Sequence, residues 1–148
     1  YVLPTIKILI VDDHELIRRY IAGILATECD FDVVGQAGDG MEAVRRAEEC
    51  QPDVVLLDIG LPRLNGLQAV PLIKRVSPKA EILMVTSHDH PFFVKEAFDA
   101  GARGFLAKCD VSAELIAAVS DVHLRKQFVS KALRDESELH ETHPPAAD

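Results

Sequence analysis

No apolar run in this chain approaches the ~20 residues that a membrane-spanning helix needs, so nothing in it predicts a span. Its N-terminal stretch "YVLPTIKILIV" lacks the basic segment, apolar core and small-residue cleavage site of a secretory signal. Cysteine is scarce, with only Cys29, Cys50 and Cys109. An odd count without paired spacing argues against a disulfide framework or a zinc site, and a reducing cytoplasm is the simplest setting. Positive charge is also short: 16 Lys and Arg stand against 24 Asp and Glu, for a net charge of −8. Phosphate backbones are bound by Lys and Arg patches, so a nucleic-acid surface is not the main feature, whereas a cation site is compatible. At 148 residues the chain has room for one domain with a sizeable core and too little for two.

What the sequence does contain is regular. Short apolar runs recur at Ile6–Val11, Phe31–Gly35, Val54–Leu57, Ile82–Val85 and Gly104–Ala107, with amphipathic stretches between them. Continuous rather than alternating runs fit strands buried on both faces. Leu16, Ile17, Tyr20, Ile21, Ile24 and Leu25 repeat with helical period, as do Met41, Val44 and Ala47. A third helix opens at Asn65-Gly66, where Pro71 should kink or shorten the first turns. A fourth starts at Pro91 and stops at Ala100-Gly101, and a fifth starts at Ser112. Strand–helix alternation at this spacing means right-handed βαβ units. The expected fold is α/β, a doubly wound, five-stranded parallel sheet ordered 2-1-3-4-5 with helices on both faces. Residues 1–125 form the domain, and 126–148 form a short extra helix (from Ser130 through Leu139) and a tail or the start of a linker.

In such a sheet, ligands gather at the carboxyl ends of the strands. The residues just past the apolar runs are Asp12 and Asp13, Asp58, Thr86 and Ser87, and Lys108. One Asp after a strand is ordinarily a turn or helix-cap residue. Three carboxylates, a hydroxyl and an ammonium on one edge are a different matter. The carboxylates repel, and a hard divalent cation such as Mg²⁺ together with Lys108 would keep them ionised. Asp58, held by a buried strand yet open at its end, can then attack phosphorus and form an acyl phosphate. Thr86 can hydrogen-bond a phosphoryl oxygen.

Taken together, "ILIVDDHE", "VVLLDIGLPRLNG", "ILMVTSH" and "AGARGFLAK" resemble the receiver domain of two-component response regulators, a flavodoxin-like fold, over roughly residues 5–125. The details "VDDHEL", "GARGFLAK" and "RKQFVSKAL" resemble its NarL/FixJ (LuxR-type) branch. The resemblance implies that Asp58 accepts a phosphoryl group from a sensor histidine kinase. It implies that Asp12, Asp13, Asp58 and the backbone carbonyl of Gly60 hold Mg²⁺ (or Mn²⁺). Thr86 and Lys108 would contact the phosphoryl group, Thr86 and Phe105 would switch, and His88 would tune dephosphorylation. The fourth helix, fifth strand and fifth helix would change shape, with a homodimer forming on phosphorylation. DNA would be reached only through an output domain, and nothing after Leu133 reads as one. Such a protein catalyses only its own phosphorylation and dephosphorylation. The Leu of "DIGLP" replaces a Met of similar volume, and Cys109 stands where many relatives have a cis-proline, so no cis bond is assumed.

Other readings fail or remain as rivals. A flavodoxin-like FMN binder needs a Ser/Thr/Gly-rich loop after the first strand, where this chain has Asp12-Asp13. A haloacid-dehalogenase-type phosphatase needs Asp-x-Asp, and His14 occupies the second position. A stand-alone or pseudo-receiver module that only binds partners is the non-catalytic rival. His14 reads as a first-turn helix residue, and Cys109 as a small packing residue.

Overall fold

The computed structural model describes residues 5–134. In chain order the elements are β1 (Ile6–Val11), α1 (Glu15–Leu25), β2 (Phe31–Ala37), α2 (Gly40–Cys50), β3 (Val54–Leu57), α3 (Gly66–Val76), β4 (Glu81–Thr86), α4 (Pro91–Ala100), β5 (Gly104–Ala107), α5 (Val111–His123) and β6 (Phe128–Val129). A 3₁₀ turn, Lys108–Asp110, joins β5 to α5. The sheet runs β2-β1-β3-β4-β5-β6 with every pair parallel. This is the expected doubly wound fold with one correction: among the described residues the sheet has six strands rather than five. The sixth is only two residues long, too short to leave a period in the sequence, and its pairing with β5 is made at long range.

Period-2 alternation splits the central strands between two cores. Leu9, Val11, Val55, Leu57, Ile82, Met84 and Phe105 face a layer built with Ala43, Ala47, Ala69, Val70, Ile73 and Ala97 of α2, α3 and α4. Ile8, Ile10, Val54, Leu56, Leu83, Val85 and Leu106 face Ile21, Leu25, Leu115, Ala118, Val119 and Val122 of α1 and α5. Residues buried on both faces explain why β3 and β5 read as unbroken apolar runs. β2, at the edge, is only half-buried along most of its length.

The helical stripes are less fully buried than their period suggests. Leu16 (74% exposed), Tyr20 (52%) and Met41 (51%) lie open. In α1 the buried residues are Ile21 and Leu25, in its C-terminal half. Pro71 does not shorten α3, which starts at Gly66 under a reciprocal cap between Asn65 and Gln68. The side chain of Pro71 is exposed. Cys109 is also exposed rather than packed. Partial burial, then the carboxylates of Asp110 and Asp89, push its thiol pKa up, away from the reactive thiolate.

Candidate functional site

Register brings the first two carboxylates together. Val11 of β1 lies opposite Leu57 of β3, so the next residues, Asp12 and Asp58, emerge side by side. Their backbones are held: the Asp58 N–H donates to the Val11 carbonyl at 3.1 Å, and the Asp12 N–H to the Ala37 carbonyl at 3.1 Å. Both side chains are buried, Asp12 at 2% exposure and Asp58 at 5%. The start of α3 presses on this turn. The Gly66 N–H donates to the Ile59 carbonyl at 2.8 Å, and a Cβ at Gly66 would run into the Asp58 carbonyl. A larger residue at 66 would move either α3 or Asp58.

The cation arrives from the other side of the sheet. Thr86 of β4 pairs with Ala107 of β5, which puts Lys108 just beyond the strand. Its Nζ lies 2.7 Å from Asp12 Oδ2 and 2.9 Å from Asp58 Oδ2. Burial pushes the Asp58 carboxyl up, but hydrogen bonds from the Thr86 hydroxyl and the Lys108 ammonium, with the Lys108 charge, outweigh it. Asp58 is therefore held below the ordinary carboxylate range. Burial pulls Lys108 down, and its contacts with Asp12 and Asp58 more than offset this, so the ammonium titrates above its usual value. Both groups are ionised at neutral pH. Thr86 is fully buried, and its Oγ1 accepts the His88 N–H at 3.1 Å.

The remaining expected residues divide into two groups. Asp13 lies on the outer side of Asp12, and the imidazole of His14 sits between them. Its Nδ1 is 3.2 Å from Asp12 Oδ1 and 3.2 Å from Asp13 Oδ1, and its backbone N–H also reaches Asp12 Oδ1 at 2.9 Å. The donor atoms of these three residues lie within 4.8 Å of one another, while Asp58 joins Asp12 through Lys108. His14 is thus the residue preceding α1 and also a member of the acidic cluster. The Gly60 N–H faces Asp58 Oδ1 at 3.4 Å. His88 leans over Gly60, since a Cβ there would come within 2.8 Å of its Nε2. Phe93 steadies the ring edge-on, at 5.5 Å between centroids. Phe105 is fully buried, turned inward against the α2–α4 layer.

A hard divalent cation fits these donors. The carboxylates of Asp12, Asp13 and Asp58 and the Gly60 carbonyl would offer such an ion oxygen atoms. Asp12 Oδ2 is sealed from solvent without a well-formed hydrogen bond, its neighbour being the Lys108 ammonium. Sequence reasoning missed two supports. The Arg18 guanidinium donates to the Asp12 carbonyl at 2.6 Å and to Gln36 Oε1 at 3.1 Å, tying α1 and β2 to the end of β1. Its only signal was a basic residue off the apolar stripe of α1. Ser130, fully buried, accepts the Ala107 N–H at 3.0 Å. A serine flanked by Phe128-Val129 gave no hint of that bond.

Comparison with known proteins agrees with this geometry. The model of the response regulator receiver domain matches residues 8–120. Response regulator GacA of Pseudomonas syringae pv. syringae is 34% identical over 139 residues, covering 94% of this chain and 65% of that protein. Response regulator protein VraR of Staphylococcus aureus is 37% identical over 115 residues, covering 78% of this chain and 55% of that protein. The chain therefore spans less than two thirds of the length of these curated relatives. Among solved structures, a two-component response regulator of the LuxR family from Aurantimonas superposes with a TM-score of 0.88 at 31% identity, covering 94% of this chain and 99% of that one.

Proposed function

The chain belongs to the response regulator receiver domain family, on its NarL/LuxR-type side, and from that premise we propose that Asp58 takes a phosphoryl group from a sensor histidine kinase. The observation that carries this is the Lys108 ammonium bridging two buried carboxylates, Asp12 and Asp58, at aligned strand ends. An Asp58 carboxylate oxygen attacks the phosphorus of the phosphohistidine. The P–N bond breaks, the imidazole leaves with its electron pair, and an acyl phosphate forms on Asp58. Lys108 then turns part of its charge to the phosphoryl oxygens, and the Thr86 hydroxyl moves from Asp58 to one of them. Asp12, Asp13, Asp58 and the Gly60 carbonyl would hold Mg²⁺ or Mn²⁺, which supplies charge neutralisation for the transferring group.

Movement of Thr86 is the trigger on this reading. Thr86 and Phe105 lie on paired strands, so a shift of one changes the room available to the other. The face formed by α4, β5 and α5 is the output surface, reached as a population shift. The phosphorylated form homodimerises and acts on transcription through a DNA-binding output domain outside this chain; the match spans 65% of GacA and 55% of VraR and leaves the rest of each unspanned. The setting is the cytoplasm. Among the described residues no helix is long and apolar enough to cross a membrane. His88, leaning over Gly60, orients or blocks the water that hydrolyses the acyl phosphate, and His88→Ala is expected to change the dephosphorylation rate.

Intact mass after incubation with acetyl phosphate and Mg²⁺ tests the central step. The expected result is one added phosphoryl group on the wild type and none on Asp58→Asn. No gain on the wild type, or an equal gain on Asp58→Asn, overturns the reading and leaves a protein-interaction module.

A further inference from the structure

The segment after α5 is clamped to the strand that delivers Lys108. Phe128 and Val129 pair in parallel with Gly104 and Phe105. The Ser130 N–H donates to the Phe105 carbonyl at 3.0 Å, and Ser130 Oγ accepts the N–H of Ala107, the residue before Lys108, at 3.0 Å. One buried serine thus spans Phe105, Leu106 and Ala107. Past it the chain makes a helical turn whose free amides meet carboxylates. The Lys131 N–H donates to Glu114 Oε2 at 2.8 Å and the Ala132 N–H to Asp110 Oδ2 at 3.1 Å. Leu133, 1% exposed, packs into the same core layer as Phe105 and Met84. These anchors lie beside the inward aromatic of β5 or within two residues of Lys108, or on α5 just beyond.

We propose that residues 128–133 form a strap, with Ser130 as its positioning residue, that holds β5 in the phosphoryl-accepting arrangement and is itself tightened when Asp58 is phosphorylated. The proposal rests on the reading of Asp58 as the acceptor. The docked strap coexists with Phe105 buried and Lys108 seated on Asp58, and on this proposal phosphoryl binding, which also needs Lys108 at Asp58, favours the strap-docked placement of β5. Linkage between two such events is reciprocal: whatever tightens one tightens the other by the same factor. Residues that follow the strap in the chain would feel its docking directly, which gives the phosphorylated site a covalent route to an output domain.

The test uses the whole chain, with beryllofluoride and Mg²⁺ standing in for the phosphoryl group. Hydrogen exchange of amides 128–133 is expected to slow when both are added. Ser130→Ala is expected to speed exchange there and to weaken beryllofluoride binding roughly five- to tenfold, the low end of ordinary coupling. Ser130→Thr, which keeps the hydroxyl, restores both. Asp110→Ala, which removes the partner of the Ala132 amide without touching the core, acts in the same direction by a smaller factor. Exchange at 128–133 that ignores beryllofluoride overturns the proposal, as does wild-type beryllofluoride affinity in Ser130→Ala and Asp110→Ala. A wild type that binds no beryllofluoride overturns it too, and the mass measurement on Asp58 then tells whether the acceptor reading falls with it.

Discussion

Asp12 and Lys108 meet at 2.7 Å, yet they reach that contact by different means. Asp12 is the first residue after a strand paired on both sides. Its N–H is taken by Ala37, its carbonyl by Arg18, and its Oδ1 by the amide two residues on. Lys108 reaches in on a long side chain from the end of β5, whose outer neighbour is a two-residue strand. The β1–β3 half of the site is held by backbone hydrogen bonds to strands on either side. The β4–β5 half is held by packing of Phe105 and by a strap arriving some twenty residues later in the chain. A half pinned by backbone hydrogen bonds suits ligands that must stay in place, and a half held by a long side chain and packing suits groups that must move.

The contrast can be broken first at Phe105. It is fully buried, and Phe105→Ala is expected to cost about 3–5 kcal/mol in urea unfolding through lost burial and the cavity left behind. A loss under about 1 kcal/mol would mean that the ring does not occupy that core. Next comes Lys108→Met. It leaves two buried carboxylates facing each other, and a loss of about 2 kcal/mol at pH 7 is expected, discounted from a fully buried pair because Lys108 is partly exposed. That loss should shrink as the pH falls and one carboxylate takes up a proton.

The pH dependence of the wild type sharpens the same point. Asp58 has a folded pKa below its unfolded one. Its contribution is present above the unfolded value of about 3.9 and fades as the pH falls through the folded value. Lys108 has the opposite sign: its folded pKa is raised, so its contribution is present below about 10.4 and fades as the pH rises further. Urea midpoints measured from pH 6 downward should fall less steeply for Asp58→Asn than for the wild type. The smallest effect is expected on α1. Leu16 is 74% exposed, and Leu16→Ser should change stability by no more than about 0.5 kcal/mol, whatever its effect on self-association.

The β1–β3 half was readable from the sequence because each strand and its site residue are contiguous there. "ILIVDD" and "VVLLD" carry both the buried run and the residue at its end. The same logic found Thr86 and Lys108, since each follows an apolar run. The rest depends on pairings with no local signature. Phe128-Val129 is too short for a period of two to register, so the sixth strand has no signal, and Ser130 reads as the start of a helix rather than as a buried partner of β5. Helical period places Leu16 and Tyr20 on an apolar stripe, but it reports only that a face is apolar, whereas burial depends on what packs against it. The placement of His14 between Asp12 and Asp13 follows from the turn into α1, which residue spacing does not specify.

The division into two halves is tested most directly by the rate of Asp58 phosphorylation from acetyl phosphate, measured against Mg²⁺ concentration for the wild type, Asp13→Asn and Lys108→Met. Asp13→Asn is predicted to raise the Mg²⁺ concentration needed for half the maximal rate, with the maximal rate largely kept. Lys108→Met is predicted to lower the maximal rate by tenfold or more, on the order of the loss of one charge-stabilising group, with little change in the Mg²⁺ requirement. The same parameter moving in both variants would contradict the account.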